Sequence, residues 1–131
     1  MREADRRHAI YCFGVLRAAL GLCAMPSDDE LPDECVRLFV SWHLVTDGVR
    51  HLRGCIGTFE PQPLARGLRA YTIRSACHDK RFLPICAAEL ERLACTVSLL
   101  TPMEVCADWL DWDLGVHGAV SYTHLRAHET R

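Results

Sequence analysis

The 131-residue chain has no apolar run near the roughly 20 residues that a bilayer-spanning helix needs. It has no excess of positive charge. Fifteen Lys and Arg stand against 17 Asp and Glu, a formal net charge of −2, so nothing global favours nucleic acid. It has no CxxC pair and no Cys/His cluster at zinc-finger spacing, so no metal site is expected, and no motif for a cofactor is found. It has no repeats, no low-complexity tract and no internal boundary, and its length allows one domain. The start, Met1-Arg-Glu-Ala-Asp-Arg-Arg7, mixes both charge signs and lacks the pattern of a secretion signal. An intracellular protein, cytoplasmic or nuclear, is the expectation, with no membrane and no nucleic-acid partner.

Cysteine, by contrast, is abundant: Cys12, Cys23, Cys35, Cys55, Cys77, Cys86, Cys95 and Cys106. Most sit beside apolar residues. Without a secretion signal they read as small buried hydrophobes with free thiols. A disulfide framework is the alternative. Half of the residues are hydrophobic, enough for a core without covalent staples.

Periodicity sets the expected elements. Glu3 to Gly21 reads as an amphipathic helix with Ile10, Phe13, Leu16 and Leu20 at helical spacing, Val15 and Ala19 beside them, and Gly21 as the stop. Pro26 to Glu34 is an acidic, proline-bearing surface loop. Val36 to Val45 alternates as a strand, Thr46-Asp47-Gly48 is a hairpin turn, and Val49 to Phe59 returns. Pro61-Gln62-Pro63 opens a helix to about His78, with Leu64, Leu68, Tyr71 and either Ile73 or Ser75 turned inward. A connector over Asp79–Pro84, a short helix near Ala87–Leu93 and a strand from Ala94 to Leu100 follow; Pro102 onward is loop. The fold class is α/β (α+β): a mixed, largely antiparallel sheet with flanking helices, incomplete at the C-terminus.

The end of the chain breaks this pattern. Val120-Ser-Tyr-Thr-His-Leu-Arg-Ala-His-Glu-Thr130 has no hydrophobic period and matches one reading frame of a common transposase library adapter. Residues 1–118 are therefore read as the domain, and Ala119–Arg131 as a non-native tail excluded from fold reasoning.

The densest functional signal is Leu52-Arg53-Gly54-Cys55-Ile56-Gly57. Two glycines around a cysteine on a strand mark close backbone approach or a bulge. Arg53 offers fixed positive charge for a thiolate or a small anion. Cys55 is thus a catalytic candidate or a core residue framed by glycines that serve chain geometry. Arg53 is taken to point to the opposite strand face, which leaves Cys55 without hyper-reactivity. His51, His78 and His117 are candidate imidazole partners for the thiol or ordinary surface residues. Asp79 and Arg81 are a ligand clamp or a helix-end ion pair. Asp111 and Asp113 flank Trp112 as candidate acid–base groups or a solvated edge. Trp109 and Trp112 stack a ligand or simply pack.

The run Leu-Arg-Gly-Cys-Ile-Gly resembles the signature of the AMMECR domain family. Leu38-Phe-Val-Ser-Trp42 lies upstream of it, and Gly67-Leu-Arg-Ala-Tyr71, Asp79-Lys-Arg-Phe82, Val97-Ser-Leu-Leu-Thr101 and Leu110-Asp-Trp-Asp-Leu-Gly-Val-His-Gly118 lie downstream. Prokaryotic members look like protein A of the so-called AmmeMemoRadiSam system. The resemblance covers nearly all residues from Ile10 to Gly118, and its details are closest to eukaryotic members. It implies an α/β fold with a mixed sheet, no settled activity, and further strands and helices after the Val-His-Gly motif. Pro26–Glu34 is more acidic than the family pattern. The motif carried over is Leu52–Gly57.

Two functions stay open. One is a regulatory or protein-interaction module built around the Leu52–Gly57 strand. The other is a cysteine-centred enzyme or small-ligand domain, for an anion or nucleotide, using Cys55 and Arg53. The expected partner is a protein or a small anionic ligand. No nucleophile–base–orienter set can be assembled from the sequence.

Overall fold

The computed structural model describes residues 4–114. Helix α1 (Arg6–Ala19) is followed by strands β1 (Cys35–Thr46) and β2 (Val49–Pro63) and helix α2 (Leu64–Cys77). A 3-10 helix (Ala87–Arg92) then leads into β3 (Leu93–Leu100). The strand order is β2-β1-β3, and both pairings are antiparallel. Among the described residues β3 has one neighbouring strand.

Local chemistry fixes the element ends. Asp5 caps α1 by accepting the Arg7 amide at 2.8 Å, and His8 Nδ1 accepts the Asp5 amide in return. Gly21 closes the helix at φ 77°, and the Leu22 amide donates to the Arg17 carbonyl five residues back. Asp47 and Gly48 both take positive φ, 52° and 75°, as the tight hairpin requires.

Pro61-Gln62-Pro63 differs from its expected role. These residues end β2, with Val36 opposite Gln62 and Cys35 opposite Pro63, and α2 begins only at Leu64. The cause is a bulge. Between the Val36 and Leu38 pairs, three β2 residues, Phe59 to Pro61, stand against Arg37 alone, and the Arg37 guanidinium donates to the Phe59 carbonyl at 2.8 Å.

Both helices cover one sheet face, onto which Leu38, Val40 and Trp42 point with no exposed surface. The Trp42 indole donates to Ser75 Oγ at 3.0 Å, and Ser75 donates back to the Tyr71 carbonyl at 2.6 Å, so the buried N–H is satisfied. Phe13 meets Trp42 edge-on at 5.1 Å. On α2 the inward residue is Ser75, while Ile73 is half-buried.

The α1 stripe is rotated from expectation. Tyr11, Cys12, Val15 and Leu16 are buried, whereas Ile10 is 60% exposed and Ala19 is exposed. Amphipathic period marks a face, but here tyrosine and cysteine complete it. All eight cysteines are free. Cys12 is buried and Cys55, Cys77 and Cys95 are half-buried; Cys23, Cys35, Cys86 and Cys106 are exposed, against the expectation of burial.

The other sheet face carries Phe39, Ser41 and His43, all half-buried. Residues 101–114 have no helix or strand, and every one is exposed.

Candidate functional site

The Leu52–Gly57 run lies in β2, an edge strand among the described residues, so half of its backbone groups face away from β1. Gly54 is buried opposite Trp42, on the helix side. The α2 backbone passes so close that a Cβ at Gly54 would overlap the Ser75 carbonyl. Gly57 lies opposite Phe39, and a Cβ there would meet the Leu38 carbonyl and the Phe39 ring. Neither glycine has a positive φ. Both positions are dictated by space, as the strand glycines suggested. Ile56, opposite Val40, packs on the core, and Leu52 is exposed opposite His43.

Arg53 has no partner on β1: Trp42 pairs with Gly54 and His43 with Leu52, so Arg53 is the extra residue of a second bulge. The expectation that Arg53 and Cys55 face opposite ways does not follow from spacing, because residues two apart share a face on a regular strand. The bulge separates their roles instead. The Arg53 guanidinium donates to Glu89 at 2.9 Å and to the Leu83 and Pro84 carbonyls at 2.6 and 3.3 Å. Burial pushes the Glu89 carboxyl up, but the bonds from Arg53 and from the Cys86 amide outweigh it and hold it below its ordinary value.

Cys55 is half-buried, and Ser41 directly opposite donates from Oγ to its Sγ at 3.0 Å. Its backbone faces outward to a side-chain pair. The Cys55 amide donates to Asp79 Oδ2 at 3.0 Å, and Arg81 donates to the Cys55 carbonyl at 3.3 Å. Arg81 also grips both Asp79 oxygens, at 3.0 and 2.8 Å. Asp79 is buried, and the Arg81 guanidinium, with amide bonds from Cys55 and Arg81, holds its carboxyl far below the usual range. The pair thus stands where a further strand would, satisfying one donor and one acceptor of the edge.

His51 and His78 are exposed, and neither is a hydrogen-bond partner of Cys55, whose partners are Ser41, Asp79 and Arg81. His117 lies outside the described residues. A further imidazole, not among the sequence candidates, is His43. It follows Ser41 by two on β1, so the two share the outward face, and its Nδ1 is buried without a hydrogen-bond partner. The alternation of β1 was the signal that could have singled out Ser41 and His43. Asp111 and Asp113 are exposed on no strand, and Asp111 accepts the Ala107 amide. Trp109 is 80% exposed, and Trp112 donates to its carbonyl.

Among the described residues no group of His, Cys, Asp and Glu could hold a metal ion, and no helix is long and apolar enough to cross a membrane.

The AMMECR1 family model matches residues 10–128. An uncharacterized protein of Arabidopsis thaliana is 41% identical over 126 residues, which cover 92% of this chain and 56% of that protein. One from Schizosaccharomyces pombe is 35% identical over 115 residues, covering 86% and 60%. The crystal structure of an uncharacterized protein from Pyrococcus horikoshii superposes with a TM-score of 0.67 at 26% identity, covering 78% of this chain and 55% of that one. The chain thus spans 55–60% of the length of these three relatives.

Proposed function

The chain belongs to the AMMECR1 family, and from that premise we propose that it is a regulatory or protein-interaction module built around the Leu52–Gly57 strand. One observation carries the reading. The guanidinium groups near the motif are engaged within the molecule, Arg53 with Glu89 and two carbonyls, and Arg81 with Asp79 and the Cys55 carbonyl. An anion or nucleotide site needs such donors directed at the ligand. Here they fix a connector instead. Backbone bonds from Phe82 to Asp79 and from Ile85 to Ala76 complete the hold, and Leu83 projects from it with 82% of its surface exposed. A pre-ordered apolar side chain is what a protein partner's pocket takes at low entropic cost.

The test is a photo-crosslinking side chain at position 83 of the full-length protein in cells. A discrete crosslinked protein is expected, lost when Arg53→Ala releases the connector. A pattern no different from that of a crosslinker at exposed Arg66 would overturn the reading.

The cysteine-centred alternative has one observation in its favour: Ser41 and Cys55 in contact, with the unpaired His43 nitrogen on the same sheet face. Limiting iodoacetamide separates the two readings. Labelling of Cys55 ahead of exposed Cys23, Cys35, Cys86 and Cys106, and loss of that preference in His43→Ala, would favour the enzyme.

A further inference from the structure

The loop between α1 and β1 contains Ser27-Asp28-Asp29-Glu30. Two of the contacts that hold it flank Ser27. Pro26 lies on Gly14 of α1, where a Cβ would come within 3.2 Å of the proline ring. Asp28 is latched from both helices: the Tyr11 hydroxyl donates to it at 2.6 Å, and Arg69 donates to both of its oxygens at 2.8 and 3.0 Å. Between these anchors Ser27 is exposed. It lines a groove of about 580 Å³ that Arg7 and Arg17 of α1 also line. Arg7 is paired with Asp5. Arg17 has no carboxylate partner among the described residues, and its guanidinium rests over the Phe13 ring at 5.9 Å.

We infer that Ser27 is a phosphorylation site for a serine kinase that selects acidic residues after the serine, and that the phosphate docks on Arg17 and fastens the loop to α1. Kinases choose substrates by charge pattern, and a basic substrate cleft reads carboxylates that follow the acceptor. Asp29 and Glu30 are exposed for that reading, while Asp28 is held by Arg69. The transfer balances. The Ser27 Oγ attacks the γ-phosphorus of ATP, the bond to the bridging oxygen breaks, ADP leaves, and the hydroxyl proton passes to the kinase. The product carries close to two negative charges and three acceptor oxygens. Asp28, Asp29 and Glu30 repel that charge, and Arg7 and Arg17, lining the same groove, attract it. Arg7 is already held by Asp5, which leaves the Arg17 guanidinium to take two phosphate oxygens. The inference is independent of any role for the Leu52–Gly57 strand.

The experiment uses the full-length protein, ATP and an acid-directed serine kinase. A mass gain of one phosphoryl group mapped to Ser27 is expected, abolished in Ser27→Ala and slowed several-fold in Glu30→Gln. Phosphorylation should raise the melting temperature by roughly 2–4 °C, the effect of one charge-assisted pair in a domain of that size. The rise should vanish in Arg17→Ala. No incorporation at Ser27, or incorporation indifferent to Glu30→Gln, overturns the site. No rise, or one that survives Arg17→Ala, overturns the docking.

Discussion

Gly54 of β2 lies directly beneath the Ser75 carbonyl of α2, with no room between them for a single carbon. The helix rests on the motif strand through backbone rather than side chain. Gly54→Ala must therefore push α2 away from the sheet, at a cost of about 1–3 kcal/mol or more. Cys55→Ser, next to it, changes one atom at a half-buried position and should cost less. Thermal melts of the two variants check the order. Gly54→Ala melting with the unsubstituted protein would contradict it.

Asp79 should make stability depend on acid. Its carboxyl is depressed in the folded protein relative to the ordinary 3.8, chiefly by Arg81. Its contribution is thus complete above about pH 4 and is lost as pH falls through the lower folded value. Asp79→Asn should flatten this acid limb. At neutral pH it should cost about 1–3 kcal/mol, since it weakens the bond to the Cys55 amide and leaves Arg81 without its counter-charge. Denaturant midpoints measured from pH 2 to pH 7 test both the slope and the offset.

Trp42 and Ser75 should behave as a unit. Ser75→Ala removes the acceptor of a buried indole N–H and should cost about 1–3 kcal/mol. Trp42→Phe removes the donor and part of the packing against Phe13. In the double variant the losses should sum to less than the singles predict, and a double-mutant cycle measures the difference.

The family model runs on to residue 128, but we propose that Ala119–Arg131 is a non-native tail. Its deletion should leave the melting temperature unchanged. A fall on deletion would show that these residues pack.

Much of the fold was legible because periodicity and turn chemistry agree along the chain. Leu38, Val40 and Trp42 alternate into the core as the strand pattern requires, and Asp47-Gly48 turns the hairpin. The face of α1 was harder to read. Tyr11 and Cys12 are not strong hydrophobic markers, yet burial and the Asp28 latch draw them inward while Ile10 stays out. At the candidate site, the motif glycines announced close backbone approach. The partners of Cys55 did not announce themselves. Asp79 and Arg81 reach it from 24 and 26 residues away, and the bulge at Arg53 breaks the alternation from which a strand face is read. The Asp79–Arg81 ion pair itself could be read from its spacing, but its reach to a strand edge more than 20 residues away could not.

The seal that Asp79 and Arg81 place on β2 gives the sheet a direction. One margin is closed at its centre by an ion pair that mimics a neighbouring strand. The other, along β3, has one partner strand and, among the described residues, no such plug. A strand added across the centre of β2 would have to displace this ion pair, whereas one added along β3 would not. Growth along β3 would leave the surroundings of the Leu52–Gly57 run as they are.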